Sequence, residues 1–336
     1  MKKIILTFDY ELFFGEQSGS AEACIINPTQ RICKILAAHN VPAVFFVDAG
    51  YLVQLARLSS RDLRVARERE LVETQLRELI AAGHDVQLHI HPHWEDTSYQ
   101  DGKWVMNTRR YRLADFSSSE IHKIVSSYKM GLEAVIGNPV FAYRAGGWCI
   151  QPFSATGPAL KAADIDVDST VFRGGRNLSS VGCFDFREAP KEAFWRFSHD
   201  PLKPDIGGHF IEIPISSVMV SPLFYWRVLA MRLAKTKKHT QFGDGNSVGR
   251  DKTDLLRQLI FASWQAVSSD GLKAALLERA FSSFERHSNT DCYFVTIGHP
   301  KVTTSYSLEK FSRFITMAKR RGIFTTFMRE RERGFF

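Results

Sequence analysis

At 336 residues, 44% hydrophobic and 24% charged, the chain can bury one large α/β core or two modest ones, and it has no low-complexity tract or repeat period pointing to disorder or a solenoid. No run of about 18 uncharged apolar residues predicts a membrane span, and five scattered cysteines without C-x-x-C spacing predict neither a disulfide framework nor a structural zinc site, as suits a reducing cytoplasm. The net charge of +8 fits an anionic partner (an acidic polysaccharide, a lipid-linked phosphate or a membrane surface, not nucleic acid), although each basic cluster, at 109–112, 227–238 and 319–321, reads first as a solvated face.

Residues 4–8 are a β-branched run, the first predicted strand. Asp9 and Glu11 interrupt the apolar stretch and no small-residue cleavage site follows, so no signal peptide is expected. Asn27-Pro28 opens a helix with Ile32, Ile35 and Leu36 on one face, and 44–47 reads as a buried strand. Val72, Leu76, Leu79 and Ile80 form the apolar stripe of a charged helix ending at Gly83, and 86–89 is a third strand. Ser117 and Glu120 form a capping box ahead of Ile121, Ile124, Val125, Tyr128 and Leu132. Further strands are predicted at 140–143, 165–167, 210–213 and 293–297. Ser307 is the expected cap of a last long helix that Gly322 stops, with a final strand at 323–327. This alternation predicts an α/β fold: a distorted (β/α) barrel around a mostly parallel sheet, with its chemistry at the C-terminal strand ends.

The unusual polar residues fall at those ends. Asp9 and Glu11, two apart on one strand, are separated by about 6.6 Å and point the same way, so both can reach one site. Four histidines, His84, His89, His91 and His93, lie within ten residues. His89 and His93 have the H-x-x-x-H spacing that can converge two imidazoles on one metal; with Glu11 they would make a 2-His-1-carboxylate site suited to Zn²⁺. Pro92 argues against a continuous helix through His93, so a strand-to-loop turn presents the pair. Tyr143-Arg144-Ala145-Gly146-Gly147-Trp148 suits a carboxylate clamp beside an aromatic wall, and Ile297-Gly298-His299-Pro300 ends a strand on a candidate general acid. Taken singly, each also reads as surface acids, packed histidines, a tight turn or a structural histidine.

The order of the four motifs resembles the polysaccharide deacetylases of carbohydrate esterase family 4, over residues 6–300, most specifically in Gly83-His84-Asp85-Val86 followed by His89-x-x-x-His93. The resemblance implies a metal-dependent deacetylase on a distorted (β/α) barrel. It implies Asp9 as catalytic base held by Arg144, Glu11, His89 and His93 as metal ligands, and His299 as general acid, with Asp168 orienting His299. Expected substrate-binding residues are Tyr10, His91, Trp94, Gly147 and Trp148. The chain departs from the family pattern at Tyr10, where a second Asp is usual, and Ala145-Gly146-Gly147 lacks the usual proline.

The expected function is hydrolysis of the N-acetyl amide of an amino sugar in a surface polysaccharide or its precursor, O-antigen or capsule. It would use Zn²⁺, with Co²⁺ or Ni²⁺ as alternatives, in a single catalytic domain over 1–336 with an insertion at 217–290. A cytoplasmic enzyme acting on a lipid-linked oligosaccharide would meet the inner membrane face through 222–238. A core-packing helix with a basic outer face is the commoner reading of that aromatic, basic segment. Residues 241–250 carry no legible role. Two alternatives stay open: an amidohydrolase of a small amide or cyclic imide, and an inactive glycan-binding protein. A glycosidase using Asp9 and Glu11 is disfavoured, since one strand cannot flank a glycosidic bond from both faces.

Overall fold

A computed structural model describes residues 2–178, 182–234, 236–247, 252–287 and 292–336. Five strands, β1 (Lys2–Tyr10), β2 (Val44–Asp48), β3 (Asp85–Ile90), β4 (Ala142–Ala145) and β5 (Val167–Asp168), lie parallel and side by side in chain order. β6 (Trp195–Phe197) runs antiparallel to β7 (Phe210–Glu212), which returns parallel to β5. β8 (Ser217–Val220) and β9 (Ser263–Ala266) form a separate antiparallel ribbon. β10 (Tyr293–Gly298) and β11 (Gly322–Phe324) both pair parallel with β1. Every residue of β2, β3, β4 and β10 is buried, as expected of parallel strands covered on both faces.

The chain leaving β7 closes the barrel. Ile215 N–H donates to Val171 O at 2.8 Å, Ser216 N–H to Val295 O at 2.9 Å, and Val267 N–H to Ser216 O at 2.7 Å. One edge of the sheet is thereby joined to β10 through the residues on either side of the β8–β9 ribbon. That closure brings the loop after β9 to the same rim as the ends of β1 and β3.

Helices α1 (Asn27–His39), α2 (Ala49–Leu58), α3 (Leu63–Ala81), α4 (Ser118–Ile136) and α5 (Phe153–Ala162) connect the first half. α6 (Pro222–Leu233), α7 (Lys252–Ile260), α8 (Leu277–His287), α9 (Ser305–Ala318) and α10 (Phe327–Glu332) belong to the second. The Ser117–Glu120 capping box opens α4, and Gly137 ends it at φ 70°. Two expectations are corrected. The cap of α9 is Thr304, with Ser307 as its reciprocating third residue. The last strand stops at Phe324, because Thr326 caps α10 and turns the chain helical.

In 222–233 Phe224 and Tyr225 pack half-buried against the core, as the core reading expects, but no described side chain of α6 is fully buried. Leu223 and Leu233 are 77% and 75% exposed, and Trp226 is 54% exposed. Within 222–238, Lys235 lies outside the described residues, as do 248–250 of the loop without an assigned role. No described helix is long and apolar enough to cross a membrane.

Candidate functional site

A cavity of about 280 Å³ opens at the C-terminal ends of the strands, lined among others by Asp9, Glu11, His89, His91, Trp148 and His299. Strand alternation aims Asp9 and Glu11 into it from the end of β1. Tyr10 between them points the other way, buried, its hydroxyl donating to Gln75 Oε1 of α3 at 2.9 Å. The structure thus sets Tyr10 away from the cavity it was expected to serve. Trp94 is likewise buried outside the cavity lining, its Nε1–H donating to Asp48 Oδ2 at 2.5 Å.

Glu11, His89 and His91 offer ligand atoms that all lie within 4.8 Å of one another. Glu11 Oε2 is 3.1 Å from His89 Nε2 and 2.8 Å from His91 Nε2. Since His91 is still in extended backbone (φ −109°, ψ 97°), residues 89 and 91 share a face by the two-residue period. Pro92 then opens the single turn Pro92–Glu95, which carries His93 out of that row. His93 stacks on Tyr111 with ring centroids 5.6 Å apart, and neither of its buried ring nitrogens has a partner among the described residues. The predicted H-x-x-x-H pair is therefore split, and an H-x-H pair faces the carboxylate.

His89 Nδ1 lies 2.8 Å from the carbonyl of Arg144, which accepts only an N–H. This bond turns Nε2 into the site. Burial would lower the His89 pKa, but Asp9, Glu11 and Asp48 outweigh it and raise it to about 9. Burial prevails at His91, lowered to about 4. At Glu11 burial alone would raise the pKa; Lys301, His91 and His89 bring it well below the usual carboxylate range.

Arg144 is fully buried, its Nη1 at 2.6 Å from Asp9 Oδ1 and 2.7 Å from Thr7 Oγ1, its Nε donating to Ser169 O at 2.8 Å. Asp9 Oδ2 lies 3.6 Å from His299 Nε2. Behind that ring stands Asp270, accepting from His299 Nδ1 at 2.7 Å and from its backbone N–H at 2.7 Å. Burial alone would lower the His299 pKa and raise that of Asp270; their mutual attraction reverses both shifts.

The place expected for Asp168 is thus held by Asp270. Asp168 sits inside the sheet, accepting from Thr170 Oγ1 at 2.7 Å, beside Glu212, which burial and Asp168 hold well above the usual carboxylate range. Asp270 stood next to no recognised motif. It reaches His299 from the loop after β9, where Ser269 N–H bonds Ile297 O at 2.9 Å across the seam. Lys301, which no sequence pattern marks as a site residue, is buried in the cavity wall with Nζ 2.8 Å from Glu11 Oε1.

Gly147 and Trp148 line the cavity, and both have left-handed backbone, φ 59° and 60°. A Cβ on Gly147 would meet the Tyr111 ring at 2.7 Å, so this turn requires glycine. Trp148 packs edge-on against Phe172 and Phe184, which hold it at the rim.

One carboxylate and two imidazoles converging in a buried wall, with His89 oriented from behind by a carbonyl, form a donor set that fits a borderline divalent cation.

Residues 1–148 match the family model for polysaccharide deacetylase. No curated protein matches the chain. Among solved structures, one from Mycobacterium smegmatis assigned to the polysaccharide deacetylases is 16% identical, with a TM-score of 0.55 over 99% of this chain and 89% of that one. A CE4 family pseudoenzyme from Bacillus anthracis is 12% identical (97% and 64% covered, TM-score 0.37). A family 4 carbohydrate esterase from Streptomyces lividans, in complex with acetate, is 10% identical (96% and 92%, TM-score 0.40). The last two are too distant to carry an argument, and the first supports the barrel fold. Residues 1–148, which hold Asp9, Glu11, His89, His91 and Arg144, thus match the polysaccharide deacetylase family.

Proposed function

We propose that the protein is a metal-dependent deacetylase of N-acetylated amino sugars in a surface polysaccharide or its lipid-linked precursor, with one catalytic domain over 1–336 and an insertion at 217–290. The observation that carries this reading is Asp9 placed between two arrays, Arg144 on one oxygen and the His299–Asp270 pair near the other, beside Glu11, His89 and His91. Glu11, His89 and His91 would hold the cation, zinc first, with cobalt or nickel as alternatives. When bound, it supplies polarisation of the acyl carbonyl and a lower pKa for the attacking water.

The chain's own groups do the rest. Arg144 fixes Asp9 so that its free oxygen takes the proton of the attacking water. Asp270 holds His299 Nδ1, so Nε2 faces the cavity with the proton the leaving amine needs. The Gly146–Trp148 turn, whose Gly147 and Trp148 line the cavity, is the proposed source of a backbone N–H donor for the developing oxyanion. Trp148 and Tyr111 provide apolar walls against which a sugar ring stacks.

Acetate release from N-acetylglucosamine oligosaccharides, by zinc-loaded wild type and His299→Ala, tests the proposal. Release by wild type and its collapse in the variant is the expected result. No release from any N-acetylated glycan, with release from a small amide or cyclic imide instead, would replace the sugar with that substrate class. Binding of glycan without any turnover would make the chain a lectin-like relative.

We place the enzyme in the cytoplasm, on a lipid-linked glycan, and α6 supports the membrane contact that this reading needs. Its exposed Leu223, Trp226 and Leu233 share a face with Arg227, and no acidic residue occurs from 222 to 243. An apolar helix face in a basic, acid-free segment complements an anionic bilayer surface. Binding to phosphatidylglycerol vesicles, but not phosphatidylcholine vesicles, should drop on Trp226→Ser with Leu233→Ser. Equal flotation of the double variant would refute the contact.

A further inference from the structure

Lys301 has no part in the hydrolysis outlined above, yet it sits against the carboxylate of the candidate metal set. Its side chain is buried, with Nζ 2.8 Å from Glu11 Oε1 and 2.6 Å from the carbonyl of Leu12. The rings of Phe13 and Phe14 lie 5.0 and 4.6 Å from the ammonium. Burial between those rings and two fixed acceptors leaves the ammonium anchored in place.

Glu11 is therefore divided. Its Oε2 faces the ring nitrogens of His89 and His91 at 3.1 and 2.8 Å, while Oε1 is taken by an ammonium, which donates and never accepts. We propose that Lys301 is a positioning residue that restricts Glu11 to one-oxygen coordination and weakens the site's hold on a divalent cation. This rests on the metal reading given above.

Two effects act in the same direction. A fixed positive charge a few ångströms from a divalent ion repels it, and in a partly buried site that repulsion is several-fold stronger than in water. The ammonium also spends part of the carboxylate's charge and excludes the ion from Oε1, so chelation by both oxygens is blocked. A site tuned in this way releases its metal more readily than one with a free carboxylate.

The test compares wild type with Lys301→Met, Lys301→Gln and Lys301→Arg. Zinc affinity is read by competition with a chromophoric chelator, and coordination by the visible spectrum of the Co²⁺-loaded protein. Lys301→Met and Lys301→Gln should bind zinc at least tenfold tighter, and Lys301→Arg should stay near wild type. The cobalt band of the Met variant should weaken as Glu11 supplies a second oxygen and coordination number rises. Should Lys301→Met not fold, by circular dichroism, Lys301→Gln keeps a hydrogen-bond donor and carries the comparison. Zinc bound by wild type, but no more tightly by the folded Met and Gln variants, overturns the role of Lys301 alone. Zinc bound by none of the four overturns the metal reading with it. Zinc bound by the Met variant and not by wild type is the strongest support.

Discussion

The two halves of the site are built differently. Asp9, Glu11, His89 and Arg144 sit on or beside adjacent parallel strands, where a two-residue period and in-register pairing (Asp48 with His89, His89 with Arg144) settle which side chains face inward. Asp270 and His299 come together where β10 and the loop after β9 meet across the closing seam, through bonds such as Ser269 N–H to Ile297 O at 2.9 Å. The strand half is a lattice in which position follows from local geometry. The seam half depends on residues far apart in the chain arriving at one place. Damage to the first should therefore cost metal and fold together; damage to the second should cost turnover while the fold stands.

The widest separation is expected between two neighbouring histidines. His91→Ala should lose the metal outright and His93→Ala should keep it, as measured by metal content of purified protein. The reverse outcome would restore the H-x-x-x-H pair and break the lattice account. Next, Arg144→Met leaves Asp9 buried without its partner and should cost about 3–5 kcal/mol of unfolding free energy in urea titrations. A loss below about 1 kcal/mol would mean that Asp9 finds another partner.

In the seam, His299→Ala should lower kcat by about 10²–10⁴ with metal content unchanged. Loss of metal in this variant would merge the two halves into one. A stability test belongs to the strand half. His84, whose Nδ1 accepts from Ala43 N–H at 3.2 Å, is lowered to about 4 chiefly by burial, with Arg329 adding to the shift. Between pH 6.5 and about 4 the unfolded chain takes up a proton that the fold refuses, so stability falls as pH falls through that window. His84→Gln should flatten this acid limb by up to about 3 kcal/mol; an unchanged limb would locate the acid sensitivity elsewhere. The smallest effect is expected for Asp270→Asn, about tenfold in kcat for one lost bond to a charged ring. Because Asp270 helps hold the His299 pKa up, the variant's alkaline limb should move to lower pH, and an unmoved limb would deny that pairing.

Much of the strand half was legible in the sequence. A β-branched run ending in Asp9 and Glu11, and the histidine cluster after Gly83, identify the strand ends, because side-chain direction in a strand follows residue parity. The choice between His91 and His93 was not legible. H-x-x-x-H spacing is compatible with convergence, but the backbone at Pro92 decides it, turning into the Pro92–Glu95 turn and sending His93 under Tyr111. Tyr10 differs: the parity that aims Asp9 and Glu11 into the cavity turns the residue between them the other way, toward Gln75, against the pocket role expected of it.

The apolar period of 222–233 identified a helix, and the charge pattern identified a basic one, but which face is covered depends on what else lies nearby. Among the described residues none covers the Leu223–Trp226–Leu233 face of α6, which stays exposed. Sequence by itself determined the barrel class, the capping box at Ser117, and the acid, imidazole and arginine positions on β1, β3 and β4, because those follow from short-range periodicity and capping chemistry. Tertiary structure decided that Asp270 and not Asp168 backs His299, that His91 joins Glu11, and that Lys301 occupies Glu11's other oxygen, because each is a contact between residues far apart in the chain and no local pattern encodes the partner.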